Sequence, residues 1–206
     1  MRRKSASLLM TMTLAAALLA APATAEAVPQ AGVHPVGPVT LTANSTLVDL
    51  STGAAVVCDG GTFEGYVPSI QPPNLVVSSG SFGDPADGCV GPVGLVVQLT
   101  LAFPWEATVT AYDPATGVAS GSLAGFELTY HDSSGCDVSI SGPAGVPARA
   151  NASLTNSTGE FAITGADDLE VAMVDADCDP QLIGVGDQIA FEATFNTTPS
   201  LSYSDA

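Results

Sequence analysis

The 206-residue chain carries 4 Lys+Arg against 21 Asp+Glu, a formal charge of −17, with 46% hydrophobic, 12% charged and 6% aromatic side chains. Lacking a basic surface to neutralise phosphates, it is excluded as a nucleic-acid binder and as an electrostatic ligand of anionic lipid. The high hydrophobic and low charged fractions also exclude disorder, leaving an acidic, loop-rich globular chain with 21 Gly and 15 Pro.

Residues 1–25 read as a secretory signal peptide: a cationic start at Arg2, Arg3 and Lys4, an apolar run over 8–20, and Ala23-Thr24-Ala25 as a small-x-small cleavage site. The run of 13 residues falls short of the roughly 20 that a spanning helix needs. Cleavage there leaves 181 residues in which Arg149 is the only strong cation against 21 acids, a formal charge of −20. The product is expected to be secreted or associated with the cell wall, and not to be an integral membrane protein.

Residues 26–38 form a Pro-rich lead-in, and 39–206 read as a single β domain. Period-two alternation dominates it. Over 94–103, Leu95, Val97, Leu99, Leu101 and Phe103 share one face while Gln98, Thr100 and Ala102 share the other. Over 187–195, Ile189, Phe191, Ala193 and Phe195 face inward and Gln188, Glu192 and Thr194 outward. The same reading places strands at 38–43, 54–58, 62–67, 74–78, 107–112, 118–130, 138–141, 148–154, 160–164 and 169–174. Turn chemistry separates them, most clearly Asp113-Pro114-Ala115-Thr116-Gly117, where proline presets one turn position and glycine accepts positive φ. About 10–12 short strands in a chain of this length predict an all-β fold, an antiparallel β-sandwich or flattened barrel.

An internal repeat is suggested by two resemblances. Cys89-Val-Gly-Pro and the strand ending at Phe103 match Cys178-Asp-Pro-Gln and the strand ending at Phe195; Asp49-Leu-Ser-Thr-Gly ahead of Cys58 matches Asp132-Ser-Ser-Gly ahead of Cys136. The halves would be 38–115 and 116–200, sharing one core because no linker divides them. Cys58, Cys89, Cys136 and Cys178 make an even set in an exported chain, which favours disulfides over metal ligation. Of the three pairings, Cys58 with Cys89 and Cys136 with Cys178 keep each bridge within one half.

Signals for chemistry are sparse. There is no G-x-S-x-G elbow, and the histidines are His34, in the lead-in, and His131, beside a turn. Catalysis would need an unmarked Ser/His site at His131 or an unmarked carboxylate pair. The densest acidic stretch, 167–187, holds seven of the acids. Within it, Asp175, Asp177 and Asp179 start like a calcium loop, but Pro180 stands where glycine is required and Gly186 where the bidentate glutamate belongs, leaving at most a weak surface calcium site. Trp105 reads as the plug of a sandwich core or, alternatively, a ligand-binding tip. Arg149 is expected in a buried or bidentate pair with a carboxylate. Asn44, Asn151, Asn156 and Asn196 begin N-glycosylation sequons, relevant only in a eukaryotic host.

The segments Leu101-Ala-Phe-Pro-Trp105-Glu-Ala-Thr108, Ala111-Tyr-Asp113-Pro-Ala-Thr-Gly117-Val, Gly121-Ser-Leu-Ala-Gly125, Thr155-Asn-Ser157 and Gly186-Asp187 resemble those of small exported proteins of actinobacteria, over about residues 55–200. That resemblance implies export and supplies no catalytic residue. Together these features predict a secreted, disulfide-stabilised acidic β-protein acting as a non-catalytic binding or cell-surface module, with a cell-wall component or another protein as partner. The alternatives are a secreted hydrolase with an unmarked site and an oligomeric envelope protein of porin type, the latter opposed by the polar outward residues Gln98, Thr100, Glu127 and Glu192.

Overall fold

The computed structural model describes residues 31–69, 71–83, 88–166 and 168–205, so the signal peptide and the first residues of the lead-in lie outside the described residues. The chain forms β1 (Gly32–His34), β2 (Gly37–Asp49), β3 (Ala55–Cys58), β4 (Gly61–Val67), β5 (Leu75–Phe82), β6 (Cys89–Val90), β7 (Val96–Leu101) and β8 (Trp105–Asp113). It continues with β9 (Val118–Phe126), β10 (Leu128–Asp132), β11 (Asp137–Ser141), β12 (Ala148–Thr155), β13 (Glu160–Thr164), β14 (Glu170–Val174), β15 (Ile189–Thr198) and β16 (Ser202–Ser204). Every strand pairing is antiparallel.

Two long strands organise the sheet. In β2, Val39, Leu41, Ala43, Ser45, Leu47 and Asp49 are buried in strict alternation, and β15 buries Ile189, Phe191, Ala193 and Phe195. Period two places each set on one face, and the two strands pair without a break from Thr40↔Thr198 to Asp49↔Ile189. The first half of β2 pairs with β4, which closes an eight-stranded barrel in the order β2-β15-β13-β12-β9-β8-β5-β4. The second half of β2 pairs instead with β3, from which β6, β7, β10, β11 and β14 follow in turn. Strand β14 then returns to the chain entering β15: Glu170 bridges Gln188, and the Ile189 N–H donates to the Leu169 carbonyl at 2.9 Å. The β2–β15 pair is therefore the common wall of two closures, and one hydrophobic cluster runs through both.

The barrel interior is filled. Trp105, Phe63, Phe126, Phe191 and Phe195 are fully buried, with neighbouring ring centroids such as Trp105–Phe126 at 5.0 Å and Phe126–Phe191 at 4.7 Å, spacings at which aromatic pairs attract. Phe63 lies against Gly80, where any added Cβ would strike its ring, so glycine there makes room for the aromatic stack. The short β1–β16 ribbon brings Val33 and Leu201 into the core. Residues 32–38 of the lead-in thus supply β1 and the start of β2.

The all-β reading holds, with two disulfides paired Cys58–Cys89 and Cys136–Cys178. Closing loops of 31 and 42 residues, each restricts the unfolded chain by roughly 4 kcal/mol in the chain-entropy picture. Details differ from the sequence reading. The strand expected at 118–130 is two: Gly125, at φ 84°, forms a bulge near the end of β9, and the run breaks at Glu127, where the chain leaves β9 in the barrel for β10 in the second closure. The four strands β2, β4, β5 and β8 from 38–115 join β9, β12, β13 and β15 from 116–200 in the barrel, so the two stretches interleave in space. Among the described residues no helix is long and apolar enough to cross a membrane.

Candidate functional site

The second closure is not filled like the first. Between the end of β2, the start of β3, the 92–95 turn, β10 and the 177–183 loop lies a cleft of about 320 Å³, within the range of small-molecule sites. The barrel's own cavity, near Val33, Leu75 and Leu154, is about 30 Å³. The cleft walls are apolar: Leu47 and Val56 from β2 and β3, Leu95, Ile183 and Ile189. Into this surface are set four carboxylates, Asp49, Asp132, Asp177 and Asp179, and no Lys, Arg or His among the described residues lines it.

Asp49 and Asp132 reach the cleft by the same local chemistry. Each is the last residue of a strand whose inner face it shares, and each is 3% exposed. An aspartate followed by Ser or Thr two residues on folds back on its own backbone, because the short carboxylate reaches the N–H groups ahead of it. The Asp49 Oδ1 accepts from the N–H groups of Ser51 at 2.7 Å and Thr52 at 3.0 Å, and the Asp132 Oδ1 accepts from the Ser134 N–H at 2.8 Å. Glycine completes both turns in the left-handed region, Gly53 at φ 77° and Gly135 at φ 96°. The first turn is fastened to the neighbouring loop, with the Thr52 hydroxyl donating to the Leu182 carbonyl at 2.9 Å and the Leu50 N–H to the Gln188 carbonyl at 2.8 Å.

Their electrostatics differ. Asp132 also accepts from the Ser134 hydroxyl at 2.6 Å through Oδ1 and from the Tyr130 hydroxyl at 2.8 Å through Oδ2. Burial pushes its pKa up, but the hydrogen bonds from Ser134, Tyr130 and the Cys136 N–H outweigh it and hold the carboxyl below the ordinary aspartate range. Burial first, and then the adjacent Asp132 carboxylate, push the Tyr130 hydroxyl well above the usual tyrosine value. Asp49 has no such completion: its Oδ2 is buried and has no hydrogen-bond partner among the described residues. A buried polar oxygen left unpaired costs about 1–3 kcal/mol, more when charged, so it marks a place where a donor is wanted.

The residues singled out from sequence are distributed unevenly around this cleft. Cys136 lines it, and its bridge to Cys178 anchors the loop that carries Asp177 and Asp179. Cys58 and Cys89 tie β3 to β6 away from it. Of the calcium candidates, Asp177 and Asp179 are exposed at the cleft, whereas Asp175 turns to the disulfide, its Oδ1 lying 3.1 Å from the Cys178 Sγ and accepting from the Asp177 N–H at 3.1 Å. Among the described residues the only group of three potential ligands within 4.8 Å is Cys136, Asp175 and Cys178, and its two sulfurs are bonded to each other, so the three aspartates do not converge. Trp105, the first residue of β8, is packed among Phe63, Phe103 and Phe126 with no exposure and so is not an exposed tip.

His131 faces outward and pairs with Asp137, Nδ1 to Oδ1 at 2.8 Å, both groups more than half exposed. The Ser133 hydroxyl nearby accepts from the Val96 N–H at 3.2 Å, and among the described residues no serine hydroxyl bonds to His131. Arg149, expected in a buried or bidentate pair, is instead exposed on β12 and makes no ion pair among the described residues. Asp49 and Asp132 were visible in the sequence as the matched turns of the internal repeat; that they face one cleft was not. No protein-family model, no curated protein and no solved structure matches this chain.

Proposed function

We propose that the chain is an exported, non-catalytic binding module, secreted or held at the cell wall, whose ligand occupies the cleft between β2, β3, β10 and the 177–183 loop. The observation that carries this reading is the cleft itself, whose apolar walls carry four carboxylates, one of which, Asp49, keeps a buried oxygen with no partner among the described residues. A site built to bind has apolar walls and a few placed polar groups. A Ser/His hydrolase is not supported, because the His131–Asp137 pair faces outward and no serine hydroxyl bonds to it among the described residues. Export is supported by the signal-peptide pattern, by the two disulfides, which suit an oxidising compartment, and by the resemblance to exported actinobacterial proteins.

A porin-type envelope role is less well supported. The barrel interior is packed with aromatic rings, and its outward positions, such as Thr42 and Asn44 on β2, Asn151 on β12 and Glu192 and Thr194 on β15, are exposed and polar, suited to water and not to hydrocarbon. The reading is tested by thermal-shift screening of small organic molecules against the mature protein and against Ala54→Phe, which places a ring at the half-buried mouth of the cleft. Compounds that raise the midpoint of the mature protein but not of the variant support it; equal shifts in both contradict it.

A further inference from the structure

We infer that the cleft selects an organic cation, a primary ammonium carried on an apolar stem, with Asp49 as the group that receives the charge. This rests on the proposed binding role of the cleft and names the chemical class of its ligand. Three observations lead to it. Asp49, which lines the cleft, is almost wholly buried, and its Oδ2 is closed to water and has no partner among the described residues, so a small shift of the wall over it would let it accept from an N–H⁺ donor without breaking a hydrogen bond. The other three carboxylates of the cleft add negative potential, and no cation among the described lining residues offsets it. Inside a low-dielectric cleft such a field acts strongly on a ligand's charge.

The walls decide against a bare metal ion. Calcium needs six to eight oxygens. Here Asp132 has both oxygens engaged, by Ser134 and Tyr130, and the Asp179 Oδ1 accepts from the Gln181 N–H at 2.9 Å. The aliphatic surface of Leu47, Val56, Leu95 and Ile189 has no use for an ion, but it would bury the methylenes of an alkyl stem, each worth about 0.8 kcal/mol on burial. An anion is opposed by all four carboxylates.

The experiment compares n-hexylammonium, 1-hexanol and hexanoate at pH 7 by calorimetry on the mature, disulfide-intact protein, with calcium chloride as a fourth titrant. Hexylammonium is expected to bind at least ten-fold more tightly than hexanol, and hexanoate not at all. Asp49→Asn keeps the Oδ1 acceptor on which its turn depends and should erase the preference for the ammonium while leaving hexanol binding in place. Asp177→Asn, at an exposed position that does not hold the fold, should weaken hexylammonium two- to three-fold. Equal binding of hexylammonium and hexanol by the unaltered protein would overturn the cation inference and leave the binding role standing. Displacement of hexylammonium by low-millimolar calcium would overturn it in favour of a metal. Binding of none of the probes would overturn both.

Discussion

Asp49 and Asp132 end two strands on the same cleft with the same folded-back turn, yet only Asp132 has both carboxylate oxygens engaged: its Oδ2 accepts the Tyr130 hydroxyl at 2.8 Å, where the Asp49 Oδ2 accepts nothing among the described residues. One of the pair is structural and the other is available. The difference comes from β10, whose period-two alternation sets Tyr130 two residues before Asp132 on the same inner face; the corresponding position before Asp49 is Leu47.

The Tyr130–Asp132 bond gives a pH signature. A carboxyl whose folded pKa lies below its unfolded value of about 3.9 contributes stability that is complete above that value and lost as pH falls through the folded pKa. Tyr130→Phe removes one cause of that lowering and should destabilise the protein by about 1–3 kcal/mol at pH 7. The gap from the unaltered protein should narrow as Asp132 protonates below about pH 4. For Tyr130, whose folded pKa is raised, the sign is opposite: its contribution is present below the unfolded value of about 10 and lost as pH rises beyond it. Urea midpoints across pH 2–11 check both limbs, and a gap that stays constant in acid would remove Asp132 from the explanation.

The two disulfides should separate by function. Replacing Cys58 and Cys89 together by Ala should cost about 2–4 kcal/mol of stability and leave cleft binding unchanged, since neither residue lines the cleft. The same change at Cys136 and Cys178 should cost a similar amount and also weaken cleft ligands several-fold, because that bridge holds the Asp177–Asp179 segment in place. Denaturant curves and calorimetry on both variants decide; identical binding losses would contradict the separation.

Trp105 is the only tryptophan, which makes its burial directly measurable. Its emission should be blue-shifted, resistant to acrylamide quenching and unchanged by cleft ligands, since the ring is packed on Phe63, Phe103 and Phe126 and not in the cleft. Trp105→Ala should cost about 3–5 kcal/mol.

Val93 holds a left-handed backbone, φ 49° and ψ 21°, at the cleft rim with 90% of its surface exposed. For a β-branched residue this is strained by about 1–2 kcal/mol. Val93→Gly relieves the strain at the cost of a freer unfolded chain, roughly 0.5–1 kcal/mol, so a net gain of up to about 1.5 kcal/mol is expected from the denaturation curve. A clear loss would mean that the Val93 side chain contributes packing at the rim.

Much of the fold was legible because burial on one sheet face writes itself as alternation, which is why β7 and β15 could be read residue by residue; of β2 only 38–43 was marked, although the strand runs on to Asp49, because Ser45 and Asp49 put polar residues on its buried face. The short β1, β6 and β16 carry too few residues to alternate, and the bulge at Gly125 and the break at Glu127 are invisible to a pattern of apolar spacing alone. The disulfide partners followed from the repeat. The cleft did not, because Asp49 and Asp132 are brought together by the closure of β14 onto the chain entering β15, a long-range event with no local signature. Local acidity marks 175–179 instead, where Asp175 is spent on its own loop. Trp105 beside a proline fitted both a tip and a core plug, and only the closed barrel places it inside.

The most direct test of the binding role is an amide-resolved NMR titration of the mature protein with n-hexylammonium. Shift changes should concentrate at the 49–54 turn, the 92–95 turn, Tyr130, Asp132 and residues 177–183, and saturate together with a single affinity. Changes scattered over the surface in proportion to local acidity, or confined to the filled barrel around Trp105, would contradict a site in the cleft.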